Sequence, residues 1–68
     1  MEGITTAIRV LMLSRGEKQK DLAAAIGLSE QNLSNKLAGR LRFSVEDLRR
    51  IFRHYELDGS AIYAIFME

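Results

Sequence analysis

Three times in this chain an apolar residue is followed at once by Ser or Asp and, four residues later, by a second apolar residue. Leu28-Ser29 precedes Leu33, Phe43-Ser44 precedes Leu48, and Leu57-Asp58 precedes Ile62. A short oxygen-bearing side chain at an N-cap accepts a hydrogen bond from N–H groups that a helix start leaves unpaired. Apolar residues just before the cap and four after it clamp the entering chain. Each triplet therefore predicts a helix start, over about residues 30–38, 45–55 and 59–67. Ser44 also has Asp47 three positions on, an approximate capping box with the shorter acid.

Two more helices precede these. Ile4, Ile8 and Leu11 follow helical spacing in a first helix of about residues 4–14, which Arg15-Gly16 ends. A second, about residues 19–26, stops at Gly27, which adopts the left-handed conformation without steric cost. No strand pattern, linker, repeat or low-complexity stretch interrupts them. The expectation is an all-α fold, a compact bundle of five short helices in a single domain over residues 1–68.

At 68 residues the core is thin: a chain of this size buries only about 60% of its unfolded surface. With no cysteine and one histidine, His54, neither disulfides nor a thiolate or histidine-rich zinc site supports it. We expect no metal, no cofactor and no small-molecule ligand. The absence of proline and a hydrophobic content of 47% suit regular helix packing. No apolar run approaches the roughly 20 residues that span a bilayer. The segment MEGITTAIRV has no basic n-region, so the expected location is the cytoplasm. Net charge is +1, but it is polarised. Residues 36–53 hold six basic side chains against two acidic, whereas residues 54–68 hold three acids and no Lys or Arg. Such asymmetry is a weak pointer towards a polyanion.

The stretch LAAAIGLSEQNL, Leu22 to Leu33, stops one helix and starts another within three residues. Gly27 turns the chain, Leu28 plugs the corner and Ser29 caps the new helix. Ala23 supplies a small side chain where two steeply crossing helices touch. Two helices joined by a short glycine-containing turn make a helix-turn-helix, although an ordinary helical hairpin has the same spacing. On a wheel with Leu33 at zero, Leu37 lies at about 40° and Lys36 at about −60°. Gln31 and Asn35 lie at about 160° and −160°, away from the core, with Asn32 and Ser34 beside them. Amides on a projecting helix suit major-groove readout, since Gln or Asn can bond adenine N6 and N7 together. The plainer reading is that they face water.

KQKDLAAAIGLSEQNLSNKLAGRLRFS, Lys18 to Ser44, resembles the helix-turn-helix core of the Cro/repressor (Xre-type) family of phage and bacterial transcription regulators. The matching positions are Gln19, Leu22, Ala23, Gly27, Leu28, Ser29, Leu33, Leu37 and Gly39. LSNKLAGRLRFSVEDLRRI resembles the small prophage-type members, and SAIYAIF their apolar C-terminal end, so that nearly the whole chain is covered. The resemblance implies a lambda-repressor-like bundle that binds double-stranded operator DNA as a homodimer, as a repressor or Cro-like regulator. Its third helix would enter the major groove while the second crosses the backbone. Two positions depart from the pattern. Lys18 replaces the usual Thr or Ser cap, leaving the second helix to fray or to be capped by Glu17 or water. Lys36 replaces an aliphatic residue, so its stem is expected to pack while its ammonium snorkels out.

On that basis Gln31 and Asn35 are the first candidates for base contacts, followed by Ser34 and Asn32. Glu30 either complements the helix dipole or accepts from a cytosine amine. By resemblance Gln19 bonds a phosphate, as do Arg40 and Arg42 in the loop after the third helix, with Lys36 joining them; a solvated basic loop is the alternative. Arg49, Arg50 and Arg53 line the polar face of the fourth helix, opposite Val45, Leu48, Phe52 and Tyr55, within reach of Glu46 and Glu56. In the tail, Ile62 and Phe66 are placed to close the core, while Tyr63 and Ile65 are candidates for a dimer contact. No arrangement of Ser, His54 and Asp argues for an enzyme. A second reading keeps the fold but turns it on a protein partner, as an antirepressor or antitoxin.

Overall fold

The computed structural model describes the backbone of residues 2–66 and the side chains of residues 3–64. Its five helices are α1 (Glu2–Ser14), α2 (Gln19–Ile26), α3 (Glu30–Leu37), α4 (Val45–His54) and α5 (Gly59–Phe66), with no strand among the described residues. The helical starts are where the caps place them. Ser29 Oγ accepts from the Asn32 N–H at 3.0 Å, Ser44 Oγ from the Asp47 N–H at 3.0 Å, and Asp58 Oδ1 from the Ala61 N–H at 2.8 Å.

The helix ends share a device of their own. After α1, α2, α3 and α4 one residue takes a positive φ: Gly16 at 62°, Gly27 at 76°, Gly39 at 82° and Glu56 at 54°. The N–H of the following residue then reaches back five positions, to Met12, Ala23, Asn35 and Phe52 respectively, at 2.9 Å in each case. This is the Schellman arrangement, which satisfies carbonyls that a helix end leaves open. Three of the four positions hold the glycine that the geometry favours; Glu56 does not.

Three arginines finish the helix ends from other elements. Arg9 Nη2 donates to the Leu37 carbonyl at 3.2 Å, Arg15 Nη2 to the Tyr55 carbonyl at 3.3 Å, and Arg50 Nη1 to the Ile26 carbonyl at 3.3 Å. A cation at a helix C-terminus also complements the dipole. The ends of α3, α4 and α2 are thus each held by a distant side chain.

α2 packs on α3 and α4, and α1 on α5. Between them Ile8, Met12, Leu22, Ala23, Ile26, Leu33, Leu37, Phe43, Ile51 and Tyr55 form one buried cluster. A Cα radius of gyration of 11.0 Å matches the roughly 11 Å of a compact folded chain this long.

Several expectations need correction. The inner face expected for α4 holds at Tyr55, which is buried, but not at Val45, which is 69% exposed; Asp47 and Ile51 are buried there instead. Leu48 and Phe52 are half-buried at its edges. The face is turned because Asp47 faces inward to meet Lys36. That ion pair also overturns the expectation that the Lys36 ammonium snorkels out, since the side chains of Lys36 and Asp47 are only 12% and 7% exposed. Glu17 does not cap α2. Asp21 Oδ2 accepts the Lys18 N–H at 3.1 Å, while Glu17 accepts from the Tyr55 hydroxyl and bonds His54 Nε2 at 2.6 Å. Burial and then this Glu17 contact push the Tyr55 phenol above its ordinary pKa. His54 is half-buried in this contact. Ile62 is half-buried; the Phe66 and Ile65 side chains lie outside the described residues.

Candidate nucleic-acid interface

The turn between α2 and α3 is built from a stop and a start that touch. Gly27 N–H donates to the Ala24 carbonyl at 3.4 Å and Leu28 N–H to the Ala23 carbonyl at 2.9 Å. Ser29 then caps α3 from an extended backbone, φ −73° and ψ 157°. Ala23, the small side chain after Leu22 on α2, is buried in the core.

Burying Leu33 and Leu37 turns the opposite side of α3 outward. Glu30 and Gln31 are exposed there, with Ser34 and Asn35 half-buried. Glu30, Gln31 and Ser34 line a shallow groove with Gln19, the first residue of α2. The sequence candidates from two helices therefore meet on one surface. Gln31 Nε2 donates to Asn35 Oδ1 at 3.4 Å, one turn along the helix. Asn32 is placed differently: its Oδ1 is enclosed and has no hydrogen-bond partner. That oxygen is not offered to a base edge, which removes half of the amide pattern expected of Asn32.

The basic candidates separate into two kinds. Arg42 is exposed and makes no ion pair among the described residues. Arg40, also exposed, lies against the polar face of α3, with Nη1 donating to Asn35 Oδ1 at 3.4 Å. Lys36, expected on phosphate, has its ammonium bound to the Asp47 carboxylate and is withdrawn from the surface. Burial pushes the Asp47 pKa up, but the Lys36 ammonium and the Ser44 N–H and hydroxyl outweigh it and hold the carboxyl below its ordinary value. On α4, Arg50 Nε lies 3.4 Å from Glu46 Oε2, one turn back, as well as capping α2. Arg49 and Arg53 are exposed.

A family model for the helix-turn-helix domain matches residues 5–62, most of the chain. The chain belongs to the helix-turn-helix domain family. No curated protein and no solved structure matches it. Within the matched span α2 and α3 form the helix-turn-helix unit, of which α3 is the second helix. The matched span includes the whole of α2, α3 and α4. Among the described residues no cluster of His, Asp and Glu could hold a metal ion, and no helix is long and apolar enough to cross a membrane.

The sequence missed three partnerships that shape this surface: Arg9 on the end of α3, Arg50 on the end of α2, and Asp47 under Lys36. A buried Asp three residues after a Ser cap was visible, but only as a capping acid.

Proposed function

We propose that this helix-turn-helix protein is a cytoplasmic, sequence-specific DNA-binding transcription regulator of the phage or prophage kind, a repressor or Cro-like switch. It acts as one domain and places α3 in the major groove. The observation that carries this reading is the outer side of α3. It presents Glu30, Gln31, Ser34 and Asn35 beside Gln19, without the acid–lysine pairs of a merely solvated helix. Gln31 reads a base through its amide, and Ser34 and Glu30 contact neighbouring edges. Gln19 and Arg42 bind phosphates and set the register without reading sequence. A second copy of the chain supplies the other half-site, with Tyr63, 66% exposed on α5, as a candidate contact.

The experiment is a titration of duplex DNA from a random pool at several salt concentrations, followed by selection of the tightest binders. Affinity falling steeply with salt, with a recurring sequence among the survivors, supports the reading. Absence of DNA affinity at low salt would sink it in favour of a protein-binding module such as an antirepressor or antitoxin.

A further inference from the structure

Arg40 makes a contact that a phosphate ligand does not need. Its Nη1 and the Gln31 Nε2 both donate to Asn35 Oδ1, each at 3.4 Å. The backbone delivers it there. Gly39 turns the chain at φ 82°, and the Arg40 N–H donates to the Asn35 carbonyl at 2.9 Å. A guanidinium carries donors only, so the end of the Asn35 amide beside it is the oxygen. The same oxygen obliges Gln31 to approach with its nitrogen. An amide oxygen has two lone pairs, and here both are taken. Asn35 is left with its two N–H donors, while Gln31 keeps a free oxygen and one N–H.

We propose that Arg40 is a positioning residue for base choice, which holds the Asn35 oxygen and so makes Asn35 a donor-only reader of guanine. Guanine shows two acceptors, O6 and N7, and no donor in the major groove. Adenine needs an acceptor for its N6 amine beside a donor for N7. The amide that remains suited to adenine is Gln31. This assignment rests on the reading of α3 as the helix in the groove. It also replaces the adenine contact that residue type alone suggests for Asn35.

The test selects binding sites from randomised duplex DNA at one salt concentration, using the wild-type chain, Asn35→Ala, Asn35→Asp and Arg40→Ala, with a thermal melt of each. Asn35→Ala identifies the position by erasing its preference. At that position the wild type should prefer guanine over adenine by about 5- to 150-fold. Arg40→Ala frees the amide to turn over, so adenine should rise to parity or better there and nowhere else. Asn35→Asp still accepts from Arg40 and Gln31 but has no donor, so it should melt like the wild type and lose the guanine preference. Adenine at the wild-type position overturns the proposal. So does an Arg40→Ala chain that binds all sequences more weakly with its base preferences unchanged, since that is a phosphate ligand. Loss of all DNA binding by the wild type would remove the proposed function as well, whereas binding with the wrong base removes this assignment alone.

Discussion

Gly27 sits at φ 76°, where a Cβ would meet Arg50 Nη1 at 3.5 Å, an ordinary contact. Space is therefore not what requires glycine; backbone strain is. Gly27→Val should destabilise the chain by about 1 to 3 kcal/mol, and a denaturant midpoint that stays put would remove the tight-turn assignment. Glu56 is the mirror case, holding φ 54° without being glycine. Because a left-handed L-residue costs about 1 to 2 kcal/mol, Glu56→Gly should stabilise by about 1 kcal/mol after its larger backbone entropy is subtracted. A melting temperature that fell on this change would mean that the Glu56 side chain has a structural role. Nothing in the residue type announces this position. Gly16, Gly27 and Gly39 mark their helix ends in the sequence, whereas the end of α4 carries no glycine to mark it.

At the scale of elements, the join between α3 and α4 depends on Asp47, which caps α4 through Ser44 and neutralises Lys36 on α3. Its carboxyl is held below the ordinary value, so the folded state favours the ionised form. The stabilisation is complete above the unfolded pKa of about 3.9 and is lost as pH falls through the lower folded value. Asp47→Asn should cost about 2 to 3 kcal/mol at neutral pH, since it leaves a largely buried ammonium without its counter-charge. In paired denaturation curves the gap between wild type and variant should narrow below about pH 4; a constant gap would show that the pair carries no such term. The helices themselves were legible in the sequence because their signals are local. Ser29 and Asn32, or Ser44 and Asp47, lie within four residues of each other. The turn of α4 about its own axis was not legible, since it depends on a partner eleven residues away. The tie from Glu17 to His54 and Tyr55, between residues 37 and 38 apart, left no local trace at all.

Across the whole molecule, the basic middle of the sequence overstates the charge that faces outward. Lys36 and Arg50 lie in that stretch but are spent on Asp47, Glu46 and the Ile26 carbonyl. Arg9 and Arg15, from the charge-balanced first half, are likewise engaged at helix ends. The cations left to phosphate are the exposed Lys18, Lys20, Arg40, Arg42, Arg49 and Arg53, and the salt slope of DNA binding should report those of them that touch the backbone. Arg42→Ala should lower that slope by about one and weaken specific and random duplexes alike. Arg50→Ala should leave the slope unchanged while lowering the melting temperature. A slope that fell with Arg50 instead would place α4 on the DNA. Gln31→Ala, which leaves no core cavity, should cost about 1 to 3 kcal/mol at the preferred site and little on random DNA. Equal losses on both would show that Gln31 reads no base.

Six of the eight residues of α3 fall into two groups. Leu33 and Leu37 are buried and belong to folding, and Ser29 ahead of them fixes where the helix begins. Glu30 and Gln31 are exposed, and Ser34 and Asn35 half-buried, on the opposite side. On the proposed reading, retargeting the protein to a new site is a matter of exchanging four letters on one surface while the supporting letters stay fixed. The exchange has one condition, which comes from the contact between Arg40 and Asn35. A reading face transplanted into another scaffold without the residue that follows Gly39 would arrive with its amide free to turn, and would recognise a different word from the one it was copied to read.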